Sequence, residues 1–185
     1  MNLEIVAFVL SLICVLFNAK GHVLTWPLAI ASSLMYGWVF QEAKLFGDAG
    51  LQLVFVLLAL YGWANWKKSV THKGSSSFAH TPSKWLIYMA AAWALLFLTI
   101  KLLLIQYTSS DVPNIDALLT AGSLVATYMS AKKWIENWIV WAVVDTLYVG
   151  LYIFKNLYLT SILYAVFIVI CIFGWYQWAK LIKNE

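Results

Sequence analysis

The sequence predicts an all-α integral membrane protein of seven transmembrane helices, set out as three helices, one helix and three helices. Three observations predict it: a composition of 63% hydrophobic and 11% charged residues, seven long apolar stretches, and an internal repeat at an offset of 112 residues. Soluble domains carry about 25% charged residues, so this chain is too poor in polar side chains to face water on all sides.

A helix that crosses a bilayer needs about 20 predominantly apolar residues, with roughly 17 to 25 as the working range. Stretches at 3–19, 25–41, 49–66, 85–106, 115–131, 137–154 and 158–178 meet that need. The first has no Lys or Arg ahead of it, carries Glu4 and lacks a clear small-residue cleavage site, so it reads as a mature helix and not as a secretory signal. The second starts beside Pro27, and the third ends in YGWANW (61–66). The segment KKSVTHKGSSSFAHTPSK (67–84) cannot bury enough apolar surface to order itself as a domain and reads as a cytoplasmic loop, 68–84. The fourth stretch, Trp85 to Gln106, resembles no other part of the chain. The last three stretches lie within residues 113–179. Cys14 and Cys171 are single thiols inside expected helices, without disulfide or metal-ligand spacing, and read as packing residues.

The repeat pairs Trp26, Leu45, Leu51, Phe55, Gly62, Trp63 and Trp66 with Trp138, Leu157, Leu163, Phe167, Gly174, Trp175 and Trp178 without a gap. It also pairs Asn2, Glu4, Ser11, Leu12, Ala19 and Lys20 with Asn114, Asp116, Ser123, Leu124, Ala131 and Lys132. Residues 1–67 are thus one three-helix repeat and 113–179 the other. An odd number of helices per repeat would set two directly joined repeats in opposite senses, and the extra helix 85–106 makes them parallel. That is the arrangement of SWEET-type transporters.

All twelve basic residues are Lys. Numbering the loops alternately puts Lys20, Lys67, Lys68, Lys73, Lys84, Lys132, Lys133, Lys180 and Lys183 on one side and Lys44, Lys101 and Lys155 on the other. The positive-inside tendency then places the amino terminus outside and the carboxyl terminus in the cytoplasm. A net charge of +4 is accounted for by this asymmetry and calls for no nucleic acid as partner. Trp26, Trp66, Trp85, Trp134 and Trp178 near helix ends fit an interfacial belt.

Candidate binding residues follow from helical faces. Positions at i, i+4, i+7, i+11 and i+14 share a side, which aligns Gln52, Val56, Ala59, Trp63 and Trp66 on the third helix and Tyr164, Ile168, Cys171, Trp175 and Trp178 on the seventh. On the sixth, Asp145 shares a face with Trp141, Tyr148 and Tyr152, and it is the one acid deep inside an expected span. A charge at the bilayer centre costs about 2.5 to 3.5 kcal/mol on insertion scales and usually faces a cavity or a partner, so Asp145 reads as lining a pathway or as pairing with a neighbouring Tyr or Trp. The expected substrate-binding set is Gln52, Trp63, Trp66, Trp141, Asp145, Tyr148, Tyr164, Trp175 and Trp178. Gln52 serves a ligand or an interhelical hydrogen bond, Gly62 and Gly174 permit close helix approach, and Ser123, Thr127 and Ser130 act in packing. Asn18, Asn65 and Gln177 cap or solvate helix ends.

An aromatic cation gains roughly 0.5 to 2 kcal/mol over an indole face, whereas a phosphorylated ligand would want Arg or Lys, and the chain has no Arg and no Lys in the middle of a span. The sequence thus favours a free vitamin or nucleoside over a nucleotide. A membrane enzyme is disfavoured: His22, His72 and His80 fall in loops, H-E-x-x-H is absent, and Asp145 has no second deep carboxylate. A seven-helix photoreceptor would need a Lys within 158–178, where none stands. A non-transporting receptor or assembly subunit stays open, and the scarcity of buried carboxylates points to uncoupled transport.

The segment WPLAIASSLMYGWVFQEAKLFGDAGLQLVFVLLALYGWANW and its counterpart WIVWAVVDTLYVGLYIFKNLYLTSILYAVFIVICIFGWYQW resemble the Pnu family of bacterial vitamin transporters. The W-P start, the F-Q-x-K-L-[FY]-G-[DE] turn and the Y-G-W-x-x-W end carry the resemblance over nearly the whole chain. It implies seven helices in the bacterial inner membrane and facilitated diffusion of an unphosphorylated vitamin, trapped by a cytoplasmic vitamin kinase. Nicotinamide riboside leads by family frequency, with thiamine or riboflavin carried by relatives. The resemblance also implies a homotrimer and no cofactor.

Overall fold

Seven helices follow the seven apolar stretches in the computed structural model, which describes residues 2–42, 46–71, 78–108, 112–154 and 158–183. They are α1 (Asn2–Ala19), α2 (Thr25–Glu42), α3 (Phe46–Thr71), α4 (Ser83–Tyr107), α5 (Pro113–Ala131), α6 (Asn137–Phe154) and α7 (Tyr158–Lys183). Leu45 and Leu157 of the repeat, Lys44, Lys73 and Lys155 of the charge count, and His72 lie outside the described residues. Helix α3 continues past its expected end at 66 through Lys67 and Lys68 to Thr71.

Pro113 starts α5 at a position where its missing N–H is no loss, and α5 is the inner post of the bundle. Residues 121 to 126 are all buried, because α5 packs on α3, α4 and α6. At Gly122 a Cβ would lie 2.6 Å from both Trp93 of α4 and Val144 of α6, so only glycine lets both side chains in. The Ser123 and Thr127 hydroxyls donate back to Leu119 O (2.9 Å) and Ser123 O (2.7 Å), consistent with a packing role.

Among the described residues, α4, α6 and the part of α7 from Ser161 to Lys183 are long and apolar enough to cross a membrane by length and composition. Lipid contact is what demands hydrophobic side chains, and α5, enclosed by protein, escapes that demand. Helix α4 shows the opposite case, for none of its residues is buried. It exposes Leu95, Leu98, Leu102 and Ile105 and is fixed to α5 by Trp93, whose Nε1 donates to Leu118 O at 3.0 Å.

The first three helices form one packed set, α2 lying against α1 and α3, and the last three form another, α6 lying against α5 and α7. The two sets meet where α3 touches α5 and where α1 touches α7. At the 112-residue offset α1 corresponds to α5 and α3 to α7, so these are one contact made twice. The core between them holds Trp26, Trp66, Trp138 and Trp178. Trp26 lies on Gly62, where a Cβ would be 2.4 Å from its ring, and Trp138 lies on Gly174, where a Cβ would be 2.5 Å away. Where close approach of helices was expected at these glycines, each instead seats an indole.

This corrects the expected interfacial belt. Trp26, Trp66, Trp134 and Trp178 are buried, and of the five only Trp85 is exposed. Trp at a helix end satisfies a belt and an interior cluster equally well in sequence, and the glycines beneath Trp26 and Trp138 draw them inward.

The α1–α2 and α5–α6 turns also correspond. Gly21 takes φ 67° and Lys133 takes φ 60°, positions 112 residues apart. The left-handed region costs an L side chain roughly 1 to 2 kcal/mol, so Lys133 holds at some strain a conformation that glycine adopts freely.

Candidate functional site

An aromatic wall stands where the two sets of helices meet. Trp66 and Trp178 lie 6.0 Å apart, each in edge contact with a tryptophan of its own set: Trp26 with Trp66 at 5.4 Å and Trp138 with Trp178 at 5.4 Å. Trp66 Nε1 donates to Ser130 O at 3.2 Å and Trp178 Nε1 to Asn18 O at 3.0 Å, the same bond repeated at the offset. Ser130 Oγ donates to Asn18 Oδ1 at 3.1 Å, and Asn65 Nδ2 donates to Ala131 O at 2.8 Å. Asn18, Asn65 and Ser130 therefore tie the sets together, where capping, solvation and packing were expected of them. Trp63, Trp141 and Trp175 pack half-buried against this core. Two buried indole N–H groups, those of Trp26 and Trp138, make no hydrogen bond within the described residues, and a buried polar group without a partner is costly.

A second cluster sits deeper along α6 and α7. Asp145 is 4% exposed, and Cys171 Sγ donates to its Oδ2 at 3.7 Å. The partner that Asp145 finds is thus a thiol, where the pairing reading named a Tyr or Trp, and Cys171 does more than pack. Tyr148 lies 4.7 Å from Tyr164, Tyr152 lies 5.1 Å from Tyr164, and Tyr148 stacks on Tyr152 at 5.7 Å. Tyr148 lies within hydrogen-bonding reach of Ser123 Oγ, whose own proton goes to Leu119 O. Tyr164 touches Phe167 at 5.5 Å, and Phe167 and Cys171 in turn pack with the tryptophans. One face of α7 therefore joins the tyrosine cluster to the aromatic wall. Beside it, a groove of about 490 Å³ between α6 and α7 is lined by Trp138, Ala142, Cys171 and Trp175, among other mostly apolar groups.

A third feature had no signal in composition. Residues Phe78 to Thr81, inside the expected polar loop, are pinned across the α5–α6 turn. Ala79 pairs with Trp134 in a short parallel bridge, its N–H donating to Lys133 O at 3.1 Å while Ile135 N donates to Ala79 O at 3.0 Å. Glu136 Oε2 accepts from Thr81 N at 2.7 Å and Thr81 Oγ1 at 2.6 Å, and Glu136 Oε1 lies 2.7 Å from His80 Nδ1. Partial burial of the Glu136 carboxyl acts to raise its pKa, but the hydrogen bonds from Thr81 and His80 outweigh it and the net shift is downward from 4.5. Phe78 then lies 4.5 Å from Trp178 and 5.7 Å from Trp66. The Lys133 ammonium stands 5.2 Å from the Phe78 ring and 5.4 Å from Trp66.

Of the expected binding residues, Trp63, Trp66, Trp141, Trp175 and Trp178 gather in the wall, and Asp145, Tyr148 and Tyr164 in the tyrosine cluster. Gln52 stands apart from both, half-buried on α3, where a Cβ at Gly37 of α2 would lie 3.5 Å from its own Cβ. Tyr152 belongs to the cluster and shares the Asp145 face in the sequence, a signal sufficient to include it. Phe78, Lys133 and Glu136 carried no such signal. Among the described residues no group of His, Cys, Asp and Glu could hold a metal ion.

Seven helices, several of them apolar, around buried aromatic, carboxylate and hydroxyl side chains fit the class of membrane transporters. A family described as nicotinamide mononucleotide transporter matches residues 1–180, and the chain belongs to that family. It is 26% identical to the nicotinamide riboside transporter PnuC of Neisseria mucosa, over 97% of this chain and 73% of that one. It is 28% identical to the riboflavin/roseoflavin transporter RibM of Streptomyces davaonensis, over 95% and 83%. Its fold is similar to a crystal structure of the vitamin B3 transporter PnuC, with a TM-score of 0.77 and 25% identity over 98% of this chain and 82% of the other.

Proposed function

We propose that this protein carries nicotinamide riboside into the cell by facilitated diffusion, and that a cytoplasmic kinase traps it by phosphorylation. The observation that carries the reading is Asp145, buried where the tyrosine cluster meets the tryptophan wall. A carboxylate held there offsets a pyridinium charge or accepts from a ribose diol, while indole and phenol rings stack on a flat heterocycle. The similarity to nicotinamide riboside transporters agrees with this chemistry. The family's description names the mononucleotide, but a phosphate wants an Arg or Lys anchor, and the chain has no Arg and no Lys in the middle of a span.

The binding set is Asp145, Tyr148 and Tyr164 with Trp63, Trp66, Trp141, Trp175 and Trp178, and Gln52, which stands apart on α3, is left out of it. The fold is read as three plus one plus three helices in parallel repeats, 1–67 and 113–179 joined by helix 85–106 after the loop 68–84. The paired Trp66 and Trp178 bonds support it. The Lys-rich end faces the cytoplasm of a bacterial inner-membrane protein, with the amino terminus outside, and the protein assembles as a homotrimer. Similarity to a riboflavin transporter favours a second reading, in which a neutral flavin gains stacking alone; thiamine is the other cationic alternative.

Calorimetric titration of one purified sample with nicotinamide riboside, its mononucleotide, thiamine and riboflavin tests this. Nicotinamide riboside is expected to bind best, with the mononucleotide at least about tenfold weaker. Tightest binding of riboflavin overturns the assignment, and accumulation driven by a proton or sodium gradient in protein-only vesicles overturns uncoupled transport.

A further inference from the structure

We infer that the strap Phe78 to Thr81 is the gate at the Lys-rich end of the substrate path, with Glu136 and Lys133 as the positioning residues that hold it shut. The inference rests on the transport reading above and adds to it the element that must move.

The first ground is where Phe78 sits. Its ring touches Trp66 of α3 and Trp178 of α7, one residue from each set of helices. The α1–α2 turn closes on it from another side, since a Cβ at Gly21 would lie 2.8 Å from Phe78 Cζ. A solute moving between the two sets toward the Lys-rich end meets this ring. The strap belongs to the connection between the two sets of helices, and one ring covers both equivalent tryptophans.

The second ground is how the strap is held. Its polar attachments run to the short α5–α6 turn: Ala79 to Lys133 and Ile135, Thr81 and His80 to Glu136. The Phe78 ring is held by apolar and cation–π contacts. The clasp lies at the water-facing end, with the His80 side chain 67% exposed and that of Glu136 20% exposed. Water can replace such bonds as they open, so the net cost of release is far below the strength of the bonds themselves.

The third ground is Lys133. Gly21, its counterpart, makes the same left-handed turn without a side chain. Strain kept at one of two equivalent positions calls for a local reason, and the ammonium over Phe78 and Trp66 supplies it. Glycine there would keep the turn and lose the pin.

Two measurements test the gate. Hydrogen exchange of the Ala79 and Thr81 amides in Glu136→Gln and Lys133→Gly reads the clasp without substrate and is expected to accelerate at least tenfold in Glu136→Gln; exchange unchanged in both variants overturns the clasp. Thr81→Cys with Glu136→Cys, bridged by a short bifunctional thiol reagent that reductant removes, reads the gate. Bridged protein in vesicles is expected to keep its affinity for nicotinamide riboside, to lose at least nine-tenths of its uptake rate, and to recover on reduction, the treated unsubstituted protein serving as control. Undiminished uptake by the bridged protein overturns the gate. If the unsubstituted protein moves none of the vitamins, the transport reading itself falls, and the gate with it, while the exchange result still decides whether Glu136 holds the strap.

Discussion

Residues 1–67 and 113–179 share a skeleton and differ in what it presents. Both seat an indole on a glycine, Trp26 on Gly62 and Trp138 on Gly174. Both donate a tryptophan N–H to the other set's first helix, and both turn through a left-handed residue. The lining departs from this symmetry. Asp145, Cys171, Tyr164 and Trp141 of the second region correspond to Ser33, Ala59, Gln52 and Ala29 of the first. Identities at the offset include the groups that hold the helices together, and under the proposed function the differences are where a ligand with two unlike ends is told apart.

The largest effect tests the skeleton. Gly62→Val and Gly174→Val each force a side chain into an indole that already sits closer than any Cβ contact allows, and overpacking of this kind costs about 1 to 3 kcal/mol or more. Thermal unfolding in detergent is expected to show both variants strongly destabilised and to a similar extent. A wide gap between the two would break the structural equivalence.

A smaller effect tests the lining. Asp145→Asn removes the buried charge while keeping the shape, and binding of a cationic vitamin is expected to weaken roughly tenfold or more, since hydrogen bonds to a charged group are worth about 1.5 to 3 kcal/mol. Ser33→Ala, its counterpart, is expected to change affinity less than about threefold, on the scale of a neutral hydrogen bond. Unchanged calorimetric affinity in Asp145→Asn removes that residue from the site.

The smallest effect sharpens the comparison at the turns. Gly21→Ala places a Cβ at positive φ and against Phe78, and is expected to cost about 1 to 2 kcal/mol. Lys133→Gly relieves the same strain but loses cation–π contacts worth about 0.5 to 1 kcal/mol each, so its net change in unfolding free energy is expected to stay within about 1 kcal/mol. A loss above that would show that Lys133 holds the fold by more than its ammonium.

The skeleton was legible because apolar length and identities at a fixed offset are written along the chain. The α7 face was legible for the same reason, since Tyr164, Cys171, Trp175 and Trp178 recur at helical spacing. Partners from distant segments were not. Asp145 finds its thiol 26 residues away, and Thr81 finds Glu136 55 residues away, distances over which no periodicity speaks. The strap was not foreseen because polar composition argues against a self-sufficient domain and says nothing about four residues gripped by a neighbouring turn. The tryptophans were misread in depth because position along a helix does not give direction around it.

The bond between Ser130 and Asn18 joins two residues that hold the same place in the two repeats. Where a two-fold relation brings a position against its own copy, a dimer of identical short chains must set like against like, two amides or two hydroxyls. A duplicated gene on one strand is free of that rule: it can put a donor on one side of the seam and an acceptor on the other, and each copy can then diverge while the seam stays closed.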